Sequence, residues 1–91
     1  MDENSNLPTD NKGTNLIKQF IINNYEPASN YLNATVRLTT AQLHTRMTAM
    51  YPEADLTVCD LYTFLRDQGY IEVEVRPFYT EWLFDKKGKV L

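Results

Sequence analysis

The chain has 91 residues, of which 43% are hydrophobic and 12% aromatic, and a formal net charge of −3. That length supports one domain with a single modest core, and no apolar run approaches the roughly 18 residues needed to cross a bilayer. The acidic balance argues against a strongly basic, phosphate-binding surface. Met1 to Thr14 lack the basic start and apolar centre of a secretory signal, and the lone Cys59 cannot close an internal disulfide, so a cytoplasmic, reducing setting without membrane partners is expected.

Met1 to Gly13 is rich in Asn, Asp and Ser, contains Pro8, and shows no periodicity. It reads as a disordered tail over 1–13, followed by a folded domain over 14–85 and a basic tail over 86–91. Asn15 or Thr14 caps a first helix over about 15–25, in which Leu16, Ile17, Phe20 and Ile21 form one apolar stripe. Glu26 to Asn30 is a connector, with Pro27 keeping the preceding chain from helical angles. Thr35-Val-Arg-Leu38 alternates and is β-branched at two positions, which predicts a short strand with Val36 facing inward.

Two helices then open on the same start signal. In the second, Thr39 caps, Gln42 takes the capping-box position, and Leu38 and Leu43 can close a hydrophobic staple. Leu43, Met47 and Met50 make its apolar line, and Tyr51-Pro52 ends it. In the third, Thr57 caps, Asp60 completes the box, and Leu56 and Leu61 form the staple. Val58, Leu61, Tyr62 and Leu65 share a stripe, and Gly69 suits the left-handed position after a helix.

A hairpin follows. If Arg76 pairs with Tyr79 around Pro77-Phe78, then Val75 faces Thr80, Val73 faces Trp82 and Ile71 faces Phe84, giving one apolar face. The opposite face then carries Glu72, Glu74, Glu81 and Leu83, with Glu74 and Glu81 directly opposed as a solvated pair. A loop with an odd number of residues would need a bulge. After the hairpin, Lys86-Lys-Gly-Lys89 is basic, and Gly88 ends any order.

The chain offers little catalytic material. His44 reads as a surface or boundary residue, and Cys59 sits in the first turn of the third helix without a basic neighbour. There is no Gly-rich phosphate loop, no zinc-type Cys/His spacing and no nucleophile with a recognisable base, so a non-enzymatic protein without cofactor or metal is expected. Phe78 and Tyr79 at the hairpin tip stand out as a pair suited to base stacking or to anchoring in a partner's pocket.

The order helix, short strand, helix, turn, helix, two-strand hairpin resembles a winged helix-turn-helix domain over residues 15–85. The resemblance is carried by Arg37-Leu-Thr-Thr-Ala-Gln-Leu43, by Thr57-Val58, Leu61 and Leu65, and by Gly69-Tyr-Ile71. The strand Glu81-Trp-Leu-Phe-Asp85 is also similar to the small winged helix that closes some phage and plasmid primase-helicases. The resemblance implies an α+β fold of three helices, a short strand and a C-terminal β-hairpin wing. It also implies a third helix in the DNA major groove and a wing on the backbone or minor groove. Carried onto this chain, the implied DNA contacts are Thr39, Thr40, Arg46, Thr57, Thr63, Arg66 and Arg76, with Lys86 and Lys87 assisting.

The charge pattern pulls the other way. The outward face of the third helix offers Cys59, Asp60, Thr63, Arg66 and Asp67, and the wing offers Glu72, Glu74 and Glu81. A clustered surface requires Arg37, Arg46, Arg66, Lys86, Lys87 and Lys89 to gather on one side. Two expectations therefore stand: a DNA-binding winged helix, or a winged helix that binds a protein partner through Phe78 and Tyr79.

Overall fold

The structure, a computed structural model, describes residues 11–87. The expected disorder of residues 1–10, and the roles given to Gly88 and Lys89, lie outside the described residues. The elements run α1 (Lys12–Asn24), β1 (Tyr25–Pro27), β2 (Val36–Leu38), α2 (Thr40–Met50), α3 (Val58–Asp67), β3 (Ile71–Arg76) and β4 (Tyr79–Lys86). It is a small α+β fold of three helices and a four-stranded antiparallel sheet. No helix among the described residues is long and apolar enough to cross a membrane.

Strand β4 is the centre of the sheet. Trp82 and Leu83 pair on one side with Leu38 and Arg37 of β2, and on the other with Glu72 and Ile71 of β3. Phe84 pairs with Val36 of β2 and with Pro27 of β1. Strands β3 and β1 therefore lie end to end along one edge of β4, and β2 lies along the other. Strand β1 corrects the reading of Glu26 to Asn30 as a plain connector. Pro27 is tolerated at the end of an edge strand, where its missing N–H costs no ladder bond. The Ala28 N–H still reaches Leu83 O, at 3.4 Å, and the Lys87 N–H reaches Asn24 O at 2.9 Å.

Helix α1 starts earlier than its hydrophobic pattern suggests. Asn11 is the N-cap, its side chain accepting from the Thr14 amide at 2.8 Å. Residues 11–13, read as tail, belong to this helix start because they are tied to the turn before α3. The Asn11 side chain donates to Glu53 O at 2.9 Å. Thr14, almost fully buried, donates to Asp55 Oδ1 at 2.8 Å and accepts from the Asp55 amide at 3.1 Å. Ile17 and Ile21 are buried as expected, whereas Leu16 is exposed.

Helices α2 and α3 begin where their caps predict. Both capping boxes are formed, Thr39 with Gln42 and Thr57 with Asp60. Leu43, Met47, Leu61 and Leu65 are buried, while Met50 and Val58 lie at helix ends and are exposed. Gly69 has φ +91°, the left-handed conformation that a Cβ disfavours. The Tyr70 N–H then closes on Leu65 O at 3.1 Å, and the chain turns into β3.

The core lies between the three helices and one face of the sheet. Ile17, Ile21, Leu43, Leu61 and Leu65 meet Leu38, Tyr70, Trp82 and Phe84 there. Ring centroids of Tyr70 and Phe84 are 5.2 Å apart, those of Tyr25 and Phe84 5.4 Å, and those of Tyr62 and Trp82 5.4 Å. These tilted and edge contacts add to the area that each ring buries.

The hairpin register departs from the predicted one. Arg76 does pair with Tyr79, but Glu74 pairs with Thr80, so Val75 is an extra residue, a β-bulge. Because side chains alternate along a strand, one extra residue moves every earlier side chain to the other face. Val73 therefore faces Glu81 and Ile71 faces Leu83, while Glu72 stands opposite Trp82 on the helix side. Glu74 and Glu81 are not opposed. The face predicted to be solvated is in fact covered, since Leu83 is fully buried beneath Ala28 and Ala34, with Val73 beside it. The sheet has two apolar faces, which a pattern with one buried side could not reveal.

Candidate functional site

Helix α3 and the hairpin tip carry most of the polar surface that the sequence singled out. On α3, Cys59, Asp60, Thr63, Arg66 and Asp67 are all exposed. Thr63 and Arg66 are one turn apart and share a face. The Arg66 guanidinium lies 5.8 Å from the Tyr62 ring centre, and its Nε is 4.0 Å from an Asp67 carboxylate oxygen. Both of these charged side chains are largely in water, so the ion pair contributes little and Arg66 stays available.

The four threonines differ in what they can offer. Thr39 and Thr57 accept from the amides of Gln42 and Asp60, both at 3.0 Å, and each keeps a hydroxyl proton to donate. Thr40 accepts the Trp82 indole N–H at 2.7 Å, which commits its oxygen to the fold. Thr63 has no such duty, and its hydroxyl faces solvent on α3. Arg46 is exposed on α2, beside a shallow depression of about 360 Å³ that it lines with Ala41, Gln42 and Thr45.

The remaining cations do not gather. Arg76 pairs at the tip with Tyr79, whereas Lys86 pairs with Tyr25 at the other end of β4. Seven residue steps of extended strand separate Tyr79 from Lys86, about 23 Å at the usual rise. Lys86 and Lys87 line a depression with Phe20, Asn24 and Tyr25 instead. Arg37 is consumed by the fold: it donates to Tyr31 O at 2.9 Å and to Ala34 O at 3.5 Å, with its guanidinium 4.8 Å from the Tyr31 ring centre. That arginine pins the loop covering Leu83. No local signal announces this role, because Tyr31 lies in a stretch without periodicity.

His44 also has a structural task. Its Nε2 is 2.6 Å from Leu56 O, and since a carbonyl only accepts, Nε2 carries the hydrogen. This bond ties α2 to the residue that leads into α3. Cys59 is exposed and free. Among the described residues, no group of three or more His, Cys, Asp or Glu side chains is placed to hold a metal ion.

The hairpin tip is the most unusual surface. Pro77 occupies the first turn position and Phe78 the second, with φ +62°, the pattern of a type II turn, in which glycine or asparagine is the usual occupant. Such a turn matches the twist of a hairpin poorly, and the neighbouring bulge at Val75 supplies extra right-handed twist. The Phe78 N–H donates to a Glu74 carboxylate oxygen at 3.0 Å. The Phe78 ring is fully exposed, at 101%. Beside it, the Arg76 guanidinium lies 4.2 Å from the Tyr79 ring centre.

Behind the tip, the Tyr79 hydroxyl donates to Glu81 Oε2 at 3.1 Å. That hydrogen bond, with lesser contributions from burial and the Glu81 charge, raises the Tyr79 phenol above its ordinary range. On the helix side of the hairpin, the Tyr62 hydroxyl donates to Glu72 at 3.2 Å, so one of the three hairpin carboxylates is held against α3. The candidate surface thus comprises an exposed helix face of mixed charge and, separately, a tip with a bare ring and one planar cation. No family model, curated protein or solved structure matches this chain.

Proposed function

We propose that this chain is a winged helix-turn-helix module that binds nucleic acid without catalysing a reaction. Its support is the α2–turn–α3 unit docked on the β2–β4–β3 sheet, which leaves Thr63 and Arg66 of α3 exposed. Helix α3 then lies in a DNA groove, with Thr57, Thr63 and Arg66 toward bases or phosphates. Arg46 and the Thr39 hydroxyl serve as backbone contacts from α2, and Arg76 as the contact from the wing. Lys86 and Lys87, at the far end of β4, reach DNA only as a separate, distant contact, and Thr40 serves the core.

A second reading, a winged helix that binds a protein, is favoured by the exposed wing carboxylate Glu74, which stands where phosphate contact calls for Lys or Arg. One measurement separates the two. Fluorescence anisotropy against generic duplex and single-stranded DNA at about 50 and about 200 mM salt is expected to show binding that weakens steeply with salt. An Arg46→Glu, Arg66→Glu double variant, folded by circular dichroism, is expected to lose at least about tenfold in affinity. Unchanged affinity in that variant, or no binding by the parent at low salt, leaves the protein-binding reading.

A further inference from the structure

We propose that the Phe78 ring is a stacking platform for an unpaired nucleobase, so that the hairpin tip selects single-stranded or frayed DNA over closed duplex. This inference rests on the nucleic-acid-binding reading and specifies what the wing recognises.

Three features of the tip carry it. The ring is fully exposed and makes none of the aromatic contacts among the described residues, so both of its faces are open there. It sits at the second position of the Pro77-Phe78 turn at φ +62°, a conformation that costs a residue with a Cβ and that glycine or asparagine adopts more cheaply. Its backbone is anchored on the N-terminal side, by the ring of Pro77 before it and by the Glu74 carboxylate on its own N–H. The ring is therefore presented from a restrained turn.

The surroundings favour a base over a protein pocket. A protein hot spot sits within a rim of contacts that excludes water, across roughly 800 Å² on each partner. Within residues 74–80, the other exposed apolar side chains are Val75 and Pro77, beside exposed Glu74, Arg76 and Thr80 and half-buried Tyr79. Base stacking needs only one open ring face and is indifferent to which base is offered. The Arg76 guanidinium, 4.2 Å from the Tyr79 ring centre and two residues from Phe78, is placed to meet a phosphate next to the stacked base. Closed duplex offers no free base face except at its ends, and opening it costs a few kcal/mol per step.

The test compares anisotropy titrations of the full chain with a single strand, a forked duplex and a hairpin-closed duplex. The parent, Phe78→Ala, Phe78→Leu and Phe78→Trp are each measured. Phe78→Ala and Phe78→Leu are expected to lose about 5- to 100-fold on the single strand and the fork, with less than about twofold change on closed duplex. Phe78→Trp is expected to retain binding, and its added indole fluorescence is expected to be quenched by single strand. Parent binding to DNA with Phe78→Ala unchanged, or weakened equally on all three DNAs, overturns the stacking role and leaves the nucleic-acid reading standing. An unquenched Phe78→Trp bound to single strand overturns it too. Absence of parent binding to every DNA at about 50 mM salt overturns both the stacking role and the reading beneath it.

Discussion

The indole N–H of Trp82 donates to the hydroxyl of Thr40 at 2.7 Å, joining the central strand to the first turn of α2. Trp82 is almost fully buried, so no water can replace this acceptor. Thr40→Val keeps the side-chain shape and strands the indole N–H, at a cost of about 1–3 kcal/mol. In a domain of this size that corresponds to roughly 4–8 °C in Tm per kcal/mol. Thermal unfolding of the variant checks it, and an unchanged midpoint would mean that the Thr40 hydroxyl is free for DNA after all.

Gly13 gives a test of how the first helix is seated. A Cβ at this position meets the backbone of Ala54, 2.7 Å from its N and 2.9 Å from its Cα, and backbone cannot easily give way. Alanine is the better helix former by about 1 kcal/mol, yet Gly13→Ala is expected to destabilise. A lowered denaturant midpoint, beside a near-neutral Lys12→Ala control, checks the close approach. A stabilised Gly13→Ala would place the start of α1 away from the 53–55 turn.

Local signals made α2, α3 and the Gly69 turn legible in the sequence. Each capping box is complete within four residues, and the positive φ of Gly69 is a property of a single position. What escaped depends on contacts far apart in the chain. The early start of α1 is set by Asn11 and Thr14 meeting Glu53 and Asp55, some forty residues on. The bulge at Val75 left the pattern of alternation intact and still reversed which face each residue of β3 joins. Strand β1 has no pattern of its own and exists because β4 offers it an edge. The candidate site was legible as residue types, with Arg66, Arg76 and Phe78 all exposed. The commitments of Arg37 to Tyr31 and of Thr40 to Trp82 were not, because nothing local announces them.

Leu83 tests whether the far face of the sheet is covered. It is fully buried on the side of the sheet away from the helices, under Ala28 and Ala34. Leu83→Ala is therefore expected to cost about 2–5 kcal/mol, like any core leucine. If Ala28 and Ala34 left that face open to water, the same change would cost less than about 0.5 kcal/mol. Chemical denaturation separates these outcomes.

Phe78 predicts a change in the unusual direction. Asparagine tolerates the left-handed conformation that phenylalanine adopts there. Since the ring buries nothing, Phe78→Asn is expected to raise stability by up to about 1 kcal/mol. A variant that melts at a lower temperature than the parent would show that the ring packs against the domain.

Tyr70 sets an alkaline limit. Its hydroxyl donates to Tyr25 O at 2.8 Å, with Ile21 O at 3.4 Å. Burial, and secondarily the Glu26 carboxylate, push its phenol above the ordinary value of 10. An unfolded tyrosine ionises near pH 10, and the folded one holds its proton to higher pH. The stability this contributes is fully present below about pH 10 and is lost as pH rises through the folded pKa. Tyr70→Phe is expected to be less stable than the parent at pH 7 by about 1 kcal/mol, from the missing hydrogen bond. Above pH 10 its stability is expected to fall less steeply, so the two curves converge. Denaturant midpoints measured from pH 7 to 11 check this, and parallel curves would show that the phenol is not held protonated by the fold.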